Sequence, residues 1–177
     1  MLNLPNILAS ARIVLAPLLL LLLLLLKDEN DLVAISWLNY FAALVFVLAC
    51  ITDFFDGFIA RNFEVTSLFG EIFDPLADKL LMLAAFIGLL VIDRVNVWAV
   101  FLILGREFFI TGLRVVAAAK GLKVAASNLG KYKTGLQITA IAFLLMDYSF
   151  ANATLWLAVI ITLYSGYDYA RSYTKTR

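Results

Sequence analysis

Histidine is absent from this sequence of 177 residues, and cysteine occurs only once, at Cys50. Without histidine the chain has no imidazole general base, no serine–histidine nucleophile pair and no histidine-rich metal site. A single cysteine can form no disulfide within the chain. The formal net charge is only +1, so the composition gives no reason to expect nucleic acid as a partner.

Apolar residues are abundant instead, at 64% of the chain. A soluble domain is about half apolar, and about 20 apolar residues in a helix cross the hydrocarbon core of a membrane. Six segments qualify, at about 7–26, 33–59, 73–92, 96–119, 130–147 and 152–171. Before the first, the Asn-Leu-Pro-Asn stretch predicts a short N-terminal interfacial helix. We therefore predict an all-α polytopic membrane protein of six transmembrane helices, with residues 1–177 forming a single membrane-embedded domain.

Lysine and arginine residues predict how these segments are oriented. With the N-terminus inside, the outer loops hold only Lys27 and Arg94, and the other twelve of the fourteen basic residues lie at or toward the inner side. We therefore expect both termini to be cytoplasmic, in a bacterial-type plasma membrane. The first segment leads into a charged stretch without a small-residue cleavage pattern, so we expect it to be a retained span.

Four aspartates fall at the predicted inner ends of the second and third segments: Asp53, Asp56, Asp74 and Asp78. The first two are three residues apart and the last two are four apart, so each pair shares a helix face. Because the two segments are predicted to be antiparallel neighbours, all four carboxylates can converge at the inner interface. Carboxylates that close need cationic compensation. Oxygen ligands without cysteine or histidine favour Mg²⁺ or Mn²⁺, and four carboxylates are enough for two ions.

Other interpretations of the aspartates are helix capping, pairing with interfacial bases, a cation path in a transporter or channel, and a non-catalytic membrane scaffold. Ionisable residues within membrane segments are functional candidates by default. Transport sites usually lie near the midplane on interrupted helices, whereas these aspartates are predicted at one interface. That position favours an enzyme over a transporter, and the intact set of four carboxylates argues against a scaffold.

The spacing of these residues resembles the signature of a known enzyme family. In this sequence the signature is Asp53-x-x-Asp56-Gly57-x-x-Ala60-Arg61, eight further residues, and Gly70-x-x-x-Asp74-x-x-x-Asp78. It is similar to that of the CDP-alcohol phosphotransferase family. Members are six-helix membrane enzymes, commonly homodimers, that transfer a phosphatidyl-type group from a CDP-linked donor to an alcohol and release CMP.

The resemblance implies roles for the matched residues. The four aspartates would hold two divalent ions, and Asp78 would also be the catalytic general base. Contacts with the nucleotide would come from the Asp53–Arg61 segment and the glycine after it; the candidates are Asp56, Gly57, Ala60, Arg61 and Gly70. The implied partners are CDP-diacylglycerol, membrane lipid and a second copy of the chain in a homodimer.

Two further stretches resemble the branch of this family whose acceptor is glycerol 3-phosphate. They are the N-terminal Asn-Leu-Pro-Asn-Ile-Leu-Ala-Ser-Ala-Arg, in which Ala9 replaces a usual threonine, and residues 105–137. The resemblance implies transfer of the phosphatidyl group of CDP-diacylglycerol to glycerol 3-phosphate, with phosphatidylglycerol phosphate and CMP as products. The alternative is the same chemistry with another acceptor, such as inositol phosphate, serine or phosphatidylglycerol.

Charged residues of the later segments are the candidates for binding the acceptor phosphate. Arg106 and Glu107 lie about ten residues into the fourth segment, near mid-membrane, where a charge must face a cavity or a partner. One interpretation is a structural ion pair that holds helices together. The other is a cationic pocket, since arginine suits bidentate contact with phosphate. The pocket candidates are Arg106, Arg114, either Lys131 or Lys133, and Arg171.

Overall fold

The computed structural model of the chain describes residues 4–63, 68–121 and 129–176. Side chains are described for residues 10–52, 76, 77, 79–121 and 129–174. Within these residues the structure contains six α-helices and no β-strand, which confirms the predicted all-α class. The helices are α1 (Leu4–Asp28), α2 (Leu32–Phe63), α3 (Leu68–Val91), α4 (Val97–Ala119), α5 (Leu129–Leu145) and α6 (Ala151–Thr176).

The helices follow the predicted apolar segments but extend past them at several ends. α2 continues to Phe63, α3 already begins at Leu68, and α6 continues to Thr176. Apolar content marks only the part of a helix that suits hydrocarbon, whereas backbone hydrogen bonding also continues through polar residues. The polar stretch predicted as a break between the second and third segments is therefore partly helical.

The N-terminal interfacial helix expected from the sequence is not a separate element in the described residues. α1 is continuous from Leu4 to Asp28. Pro5 lies in its first turn, where a missing N–H removes no intrahelical hydrogen bond and the fixed φ of proline suits a helix. The prediction of a helix start at this proline holds, but the prediction of a separate short helix is wrong.

Aspartate and asparagine side chains mark the ends of several helices. Asp31 precedes α2 and Asn96 precedes α4, and in each the Oδ1 atom accepts a hydrogen bond from the backbone N–H two residues further on, at 3.1 and 2.9 Å. Such N-caps satisfy donors that the first helical turn leaves unpaired. Asp93 and Asp147, just beyond α3 and α5, adopt left-handed backbone with φ of 56° and 59°. Aspartate tolerates this conformation better than most residues.

The described contacts divide the chain into two compact units. The first contains Met1–Arg94 together with Ala142–Asp147, and the second contains Val95–Ile141 together with Tyr148–Arg177. The first unit therefore holds α1, α2, α3 and the end of α5, and the second holds α4, most of α5 and α6. The single domain expected from the sequence remains a prediction.

In the first unit, α1 packs against both α2 and α3. Its buried residues include Ala16, Leu19, Leu23 and Leu26, three or four residues apart, as expected for one helix face. Gly88 of α3 lies directly against this face, because a Cβ atom built there would overlap Cδ1 of Leu23 and lie 2.9 Å from its Cβ. The missing side chain of Gly88 therefore permits the close approach of α1 and α3.

Arg94 joins three parts of the first unit. Its Nη1 donates to Oδ1 of Asn39 in α2 at 2.7 Å and to the carbonyl oxygen of Leu145 in α5 at 3.1 Å. Its Nη2 lies 3.4 Å from Oδ2 of Asp147. Burial lowers the pKa of the Arg94 guanidinium from its usual value, and the nearby Asp147 carboxylate opposes that change. The guanidinium therefore donates to a carbonyl group at the C-terminal end of α5, where carbonyl groups have no partner within the helix.

The first two helices are long and apolar enough to cross a membrane, over Ser10–Asp28 and Leu32–Thr52. Both leave large apolar side chains exposed, among them Leu21, Leu25, Trp37, Phe41 and Leu44. Exposed apolar side chains on helices of this length suit contact with lipid. Six membrane spans remain a prediction, since only these two qualify among the described residues.

Replacing Gly88 with alanine should destabilise the protein by about 1–3 kcal/mol, because the added methyl group overpacks the contact with Leu23. Thermal unfolding in detergent micelles measures the change. Gly112→Ala in α4 is the matched control, since no described atom lies within 4 Å of a Cβ built there. That variant should be neutral or slightly stabilised, because alanine favours a helix over glycine by about 1 kcal/mol. Equal unfolding temperatures for Gly88→Ala and the native protein would contradict the close helix approach.

Candidate active site

The four predicted metal ligands have helical backbone on two helices of the first unit. Asp53 and Asp56 lie in α2, and Asp74 and Asp78 lie in α3, which contact each other. Backbone positions three or four residues apart lie on one side of a helix, so each pair keeps the spacing expected of it. The side chains of these aspartates lie outside the described residues, as do the surroundings of Gly57, Ala60, Arg61 and Gly70. The metal and nucleotide assignments remain predictions.

A fully buried cation lies in the same unit. Arg12 of α1 has no exposed surface. It ends the N-terminal stretch that resembles the family pattern. Burying a guanidinium is unfavourable unless anionic or hydrogen-bonding groups compensate it. The first unit therefore combines acidic residues on α2 and α3 with a buried cation on α1.

In the second unit, polar side chains from α4, α5 and α6 form a connected network, which we call the polar cluster. Most of its members are buried, in a helical unit that is otherwise largely apolar. Charged and polar groups in such surroundings are stable only when they are paired with one another. The members of the polar cluster are Arg106, Glu107, Lys133, Gln137, Thr162 and Ser165.

The Glu107 carboxylate is the centre of the polar cluster. Its Oε1 atom accepts hydrogen bonds from Nζ of Lys133 at 2.5 Å and from Nη1 of Arg106 at 3.2 Å. Consecutive residues of a helix point about 100° apart around its axis. Glu107 therefore faces α5, where it contacts Lys133, and the adjacent Arg106 faces α6, where it contacts Ser165.

Arg106 lies against α6. Its Nη2 donates to Oγ of Ser165 at 3.0 Å. A Cβ atom built at Gly166 would lie 2.9 Å from Cγ of Arg106 and 3.0 Å from its Nε. Within the part of the chain that the structure describes, this buried Nε donates to no acceptor. The guanidinium is therefore held in place by Glu107 and Ser165 with one donor left unused.

A hydrogen bond between α5 and α6 completes the polar cluster. Nε2 of Gln137 donates to Oγ1 of Thr162 at 2.9 Å, and both side chains are buried. Gln137 also lies beside the Glu107 carboxylate. Lys133 and Gln137 are four residues apart on α5, so they share the helix face that is turned toward Glu107.

The polar cluster carries more positive than negative charge, because the single carboxylate of Glu107 faces both Arg106 and Lys133. Arg114 adds a third cation that is close enough to repel both of them. Its guanidinium carbon lies 5.3 Å from the ring centroid of the buried Tyr169, a cation–π contact. This arrangement is suited to attract an anion with two negative charges.

The structure separates the candidates for binding the acceptor phosphate. Lys133 is buried in the polar cluster beside Arg106, and Arg114, although exposed, lies over the ring of the buried Tyr169. Lys131 and Arg171 are exposed, and no described contact connects them to the cluster. Of the two lysines left open by the sequence, the geometry favours Lys133. The ion pair of Arg106 with Glu107 is present, and it belongs to a larger network that also contains Lys133.

The residues that the sequence did not reveal lie on α6, namely Thr162, Ser165, Gly166 and Tyr169. Each contacts a charged or polar residue of α4 or α5. One signal was available, since these residues recur at spacings of three and four in an apolar helix. Serine, threonine and glycine are common in membrane helices, so that signal alone does not indicate a site.

Comparison with known sequences agrees with the motif. The profile of the CDP-alcohol phosphatidyltransferase family matches residues 2–164. The chain belongs to this family of transferases, and the resemblance found from the motif is confirmed. Two apolar helices, in a family with relatives that are named for a lipid donor, also indicate that the protein associates with membranes.

Relatives of known name cover almost the whole chain. A Bacillus subtilis protein named CDP-diacylglycerol–glycerol-3-phosphate 3-phosphatidyltransferase is 41% identical over 181 residues, covering 96% of this chain and 94% of the relative. A Rickettsia felis protein of the same name is 39% identical over 182 residues, covering 98% and 96%. A Mycobacterium tuberculosis protein named probable phosphatidylglycerophosphate synthase is 36% identical over 173 residues, covering 94% and 79%.

The pairing of Glu107 with Lys133 predicts a strong coupling between the two side chains. Glu107→Gln leaves the buried ammonium unpaired and should cost about 3–5 kcal/mol of unfolding free energy. Adding Lys133→Met removes the orphaned charge, so the double variant should be less destabilised than the sum of the single effects, by about 0.5–3 kcal/mol. Unfolding of all four proteins in detergent micelles measures the cycle. Additive effects would contradict the ion pair.

Proposed function

We propose that the protein transfers the phosphatidyl group of CDP-diacylglycerol to glycerol 3-phosphate, giving phosphatidylglycerol phosphate and CMP. Relatives named for this reaction support the choice, since they match over nearly the full length of both chains. The observation that carries the choice of acceptor is the positively charged polar cluster around Glu107. It lies largely within residues 105–137, the stretch that resembles the glycerol 3-phosphate branch.

The charge of the polar cluster favours an acceptor that carries a phosphate monoester. Two cations around one carboxylate, with Arg114 close by, leave surplus positive charge for a dianion. Serine has no net charge and would not need these cations. Phosphatidylglycerol carries a phosphodiester with a single negative charge. Inositol phosphate carries a phosphate monoester and is the remaining alternative, although the relatives' names favour glycerol 3-phosphate.

The donor site would depend on residues of α2 and α3. Asp53, Asp56, Asp74 and Asp78 would hold two divalent ions, because an all-carboxylate donor set on two contacting helices suits Mg²⁺ or Mn²⁺. When bound, these ions neutralise charge on the pyrophosphate of the donor and on the departing CMP. Contacts with the nucleotide would come from Asp56, Gly57, Ala60, Arg61 and Gly70.

Residues of the chain would then hold the acceptor and move one proton. Arg106, Arg114 and Lys133 bind the phosphate of glycerol 3-phosphate, and positioning of this kind supplies much of the rate in phosphoryl transfer. Asp78 takes the proton from the primary hydroxyl. The oxygen attacks the phosphorus bonded to diacylglycerol in line, and CMP leaves with the electrons of the broken P–O bond. Lys131 and Arg171 have no part in this step.

We further propose six transmembrane helices in a plasma membrane, with both termini and the active site on the cytoplasmic side and two chains in a homodimer. The distribution of lysine and arginine supports this orientation. An active site at the cytoplasmic interface also fits the substrates, since the donor is a lipid whereas glycerol 3-phosphate and CMP dissolve in water.

The reaction predicts a specific pattern of CMP release. Purified protein in detergent micelles, given CDP-diacylglycerol and Mg²⁺, should release CMP when glycerol 3-phosphate is added and should not when serine is added. Chelation by EDTA should abolish CMP release, and added Mg²⁺ should restore it. Without divalent ions the negatively charged carboxylates would repel the pyrophosphate of the donor. Inositol phosphate tests the remaining alternative. CMP release with serine but not with glycerol 3-phosphate would contradict the proposed acceptor.

A pair of aspartate variants serves as the control for this assay. Asp78→Asn removes the proposed base and should lower kcat by about 10²-fold or more. Asp93→Asn lies in the turn after α3, where asparagine tolerates the same left-handed backbone, and should keep native activity. Full activity of Asp78→Asn would remove the role proposed for that carboxylate.

A further inference from the structure

We infer that one face of α6 positions the cations that bind the acceptor phosphate, a role that rests on the function proposed above. This α6 polar face consists of Thr162, Ser165, Gly166 and Tyr169. All four residues are buried. Their spacing of three and four residues places them along one side of the helix.

Two hydroxyl groups of the α6 polar face belong to the polar cluster and hydrogen-bond to its members on α4 and α5. Oγ of Ser165 accepts from Nη2 of Arg106 at 3.0 Å, and Oγ1 of Thr162 accepts from Nε2 of Gln137 at 2.9 Å. One partner belongs to α4 and the other to α5. Buried hydrogen bonds of this kind fix the direction of both partner side chains, because an unmade bond in apolar surroundings is costly. α6 therefore orients the cluster from a third side.

Gly166 provides the surface on which Arg106 lies. A Cβ atom at this position would be 2.9 Å from Cγ of Arg106 and 3.0 Å from its Nε, closer than ordinary contact distances. No described atom lies within 4 Å of a Cβ built at Gly105 or Gly112 of α4. Gly166 therefore leaves the space that the Arg106 side chain occupies, whereas Gly105 and Gly112 have no such neighbour among the described atoms.

Tyr169 acts on a second cation in a similar way. Its buried ring lies under Arg114, with 5.3 Å between the guanidinium carbon and the ring centroid. An aromatic face attracts a cation without neutralising its charge. Tyr169 thus holds the Arg114 side chain in one direction on the side of α4 that faces α6.

The residues of the α6 polar face are positioning residues, because they contact the cations and are not proposed to contact substrate. An arginine has many rotamers, and fixing one before the ligand arrives removes part of the entropic cost of binding. Loss of this preorganisation should weaken binding of the phosphate. It should not change the binding of CDP-diacylglycerol, whose proposed ligands lie on α2 and α3.

Kinetics of the full-length protein in micelles test this inference with Ser165→Ala and Gly166→Ala, and with Gly112→Ala as the matched control. Ser165→Ala removes one hydrogen bond to the Arg106 guanidinium, and Gly166→Ala displaces the same side chain. Each should raise KM for glycerol 3-phosphate about tenfold, the size of effect expected for one hydrogen bond to a charged group. KM for CDP-diacylglycerol and kcat should stay within about twofold, because the proposed ligands of the donor lie on α2 and α3 and are not changed in these variants. Gly112→Ala should leave all three parameters unchanged.

Direct binding of inorganic phosphate supplies a measurement that does not depend on turnover. Isothermal titration calorimetry without the lipid donor should show its Kd raised about tenfold in both α6 variants, because inorganic phosphate makes the same contacts as the phosphate of the acceptor. Ser165→Ala removes a single oxygen atom, so it keeps the test valid if Gly166→Ala does not fold.

Two results would overturn the inference, and a third would overturn the proposed function instead. Unchanged KM for glycerol 3-phosphate and unchanged Kd for inorganic phosphate in both variants would overturn the inference. A parallel change in the KM of both substrates together with a lower unfolding temperature would also overturn it, in favour of simple helix packing. Absence of CMP release from the native protein, with the phosphate Kd still shifted in the variants, would overturn the proposed function and leave the positioning of an anion site supported.

Discussion

The carboxylate of Glu107 is the interaction on which the second unit depends. It accepts hydrogen bonds from both Lys133 and Arg106, and neither cation would be stable in apolar surroundings without it. One carboxylate can hold two cations in place but can neutralise only one of them. The remaining positive charge is then available to a ligand, and Arg114 adds to it. The same interaction therefore accounts for the stability of the helix contacts and for the affinity proposed for a phosphate group.

The four candidate aspartates lie in one compact unit and the candidate cations for the acceptor lie in the other, which suits the two substrates of the proposed reaction. A pyrophosphate donor calls for divalent ions and hence for carboxylates, which the sequence offers on α2 and α3. The packing of α1 against both helices, with the close approach at Gly88, holds these elements in one unit. A monophosphate acceptor calls for fixed cations, which α4 and α5 carry and α6 orients. The family match, which covers residues 2–164, includes helices of both units.

The helices were predictable because apolar length and polar breaks are local features, and residues such as Asn96 cap a helix within two positions. The separate N-terminal helix was mispredicted, because proline in a first turn begins a long helix as readily as a short one. The aspartate signature could be found because its members are close in sequence. The α6 polar face could not, because Ser165 is 59 residues from its partner Arg106 and Thr162 is 25 residues from Gln137. The sequence also left open which of Lys131 and Lys133 meets the acceptor phosphate, and the contact of Lys133 with Glu107, 26 residues away, favours Lys133.

Calorimetric titration of glycerol 3-phosphate into the protein, without the lipid donor, measures most directly whether the cations around Glu107 bind the acceptor. Lys133→Met should weaken the Kd about tenfold or more, since a hydrogen bond from a charged group to the phosphate is lost. Lys131→Met, two residues earlier and exposed, should change the Kd much less. The same Kd for the native protein and Lys133→Met, or a larger effect of Lys131→Met, would contradict the assignment of the acceptor site to the polar cluster.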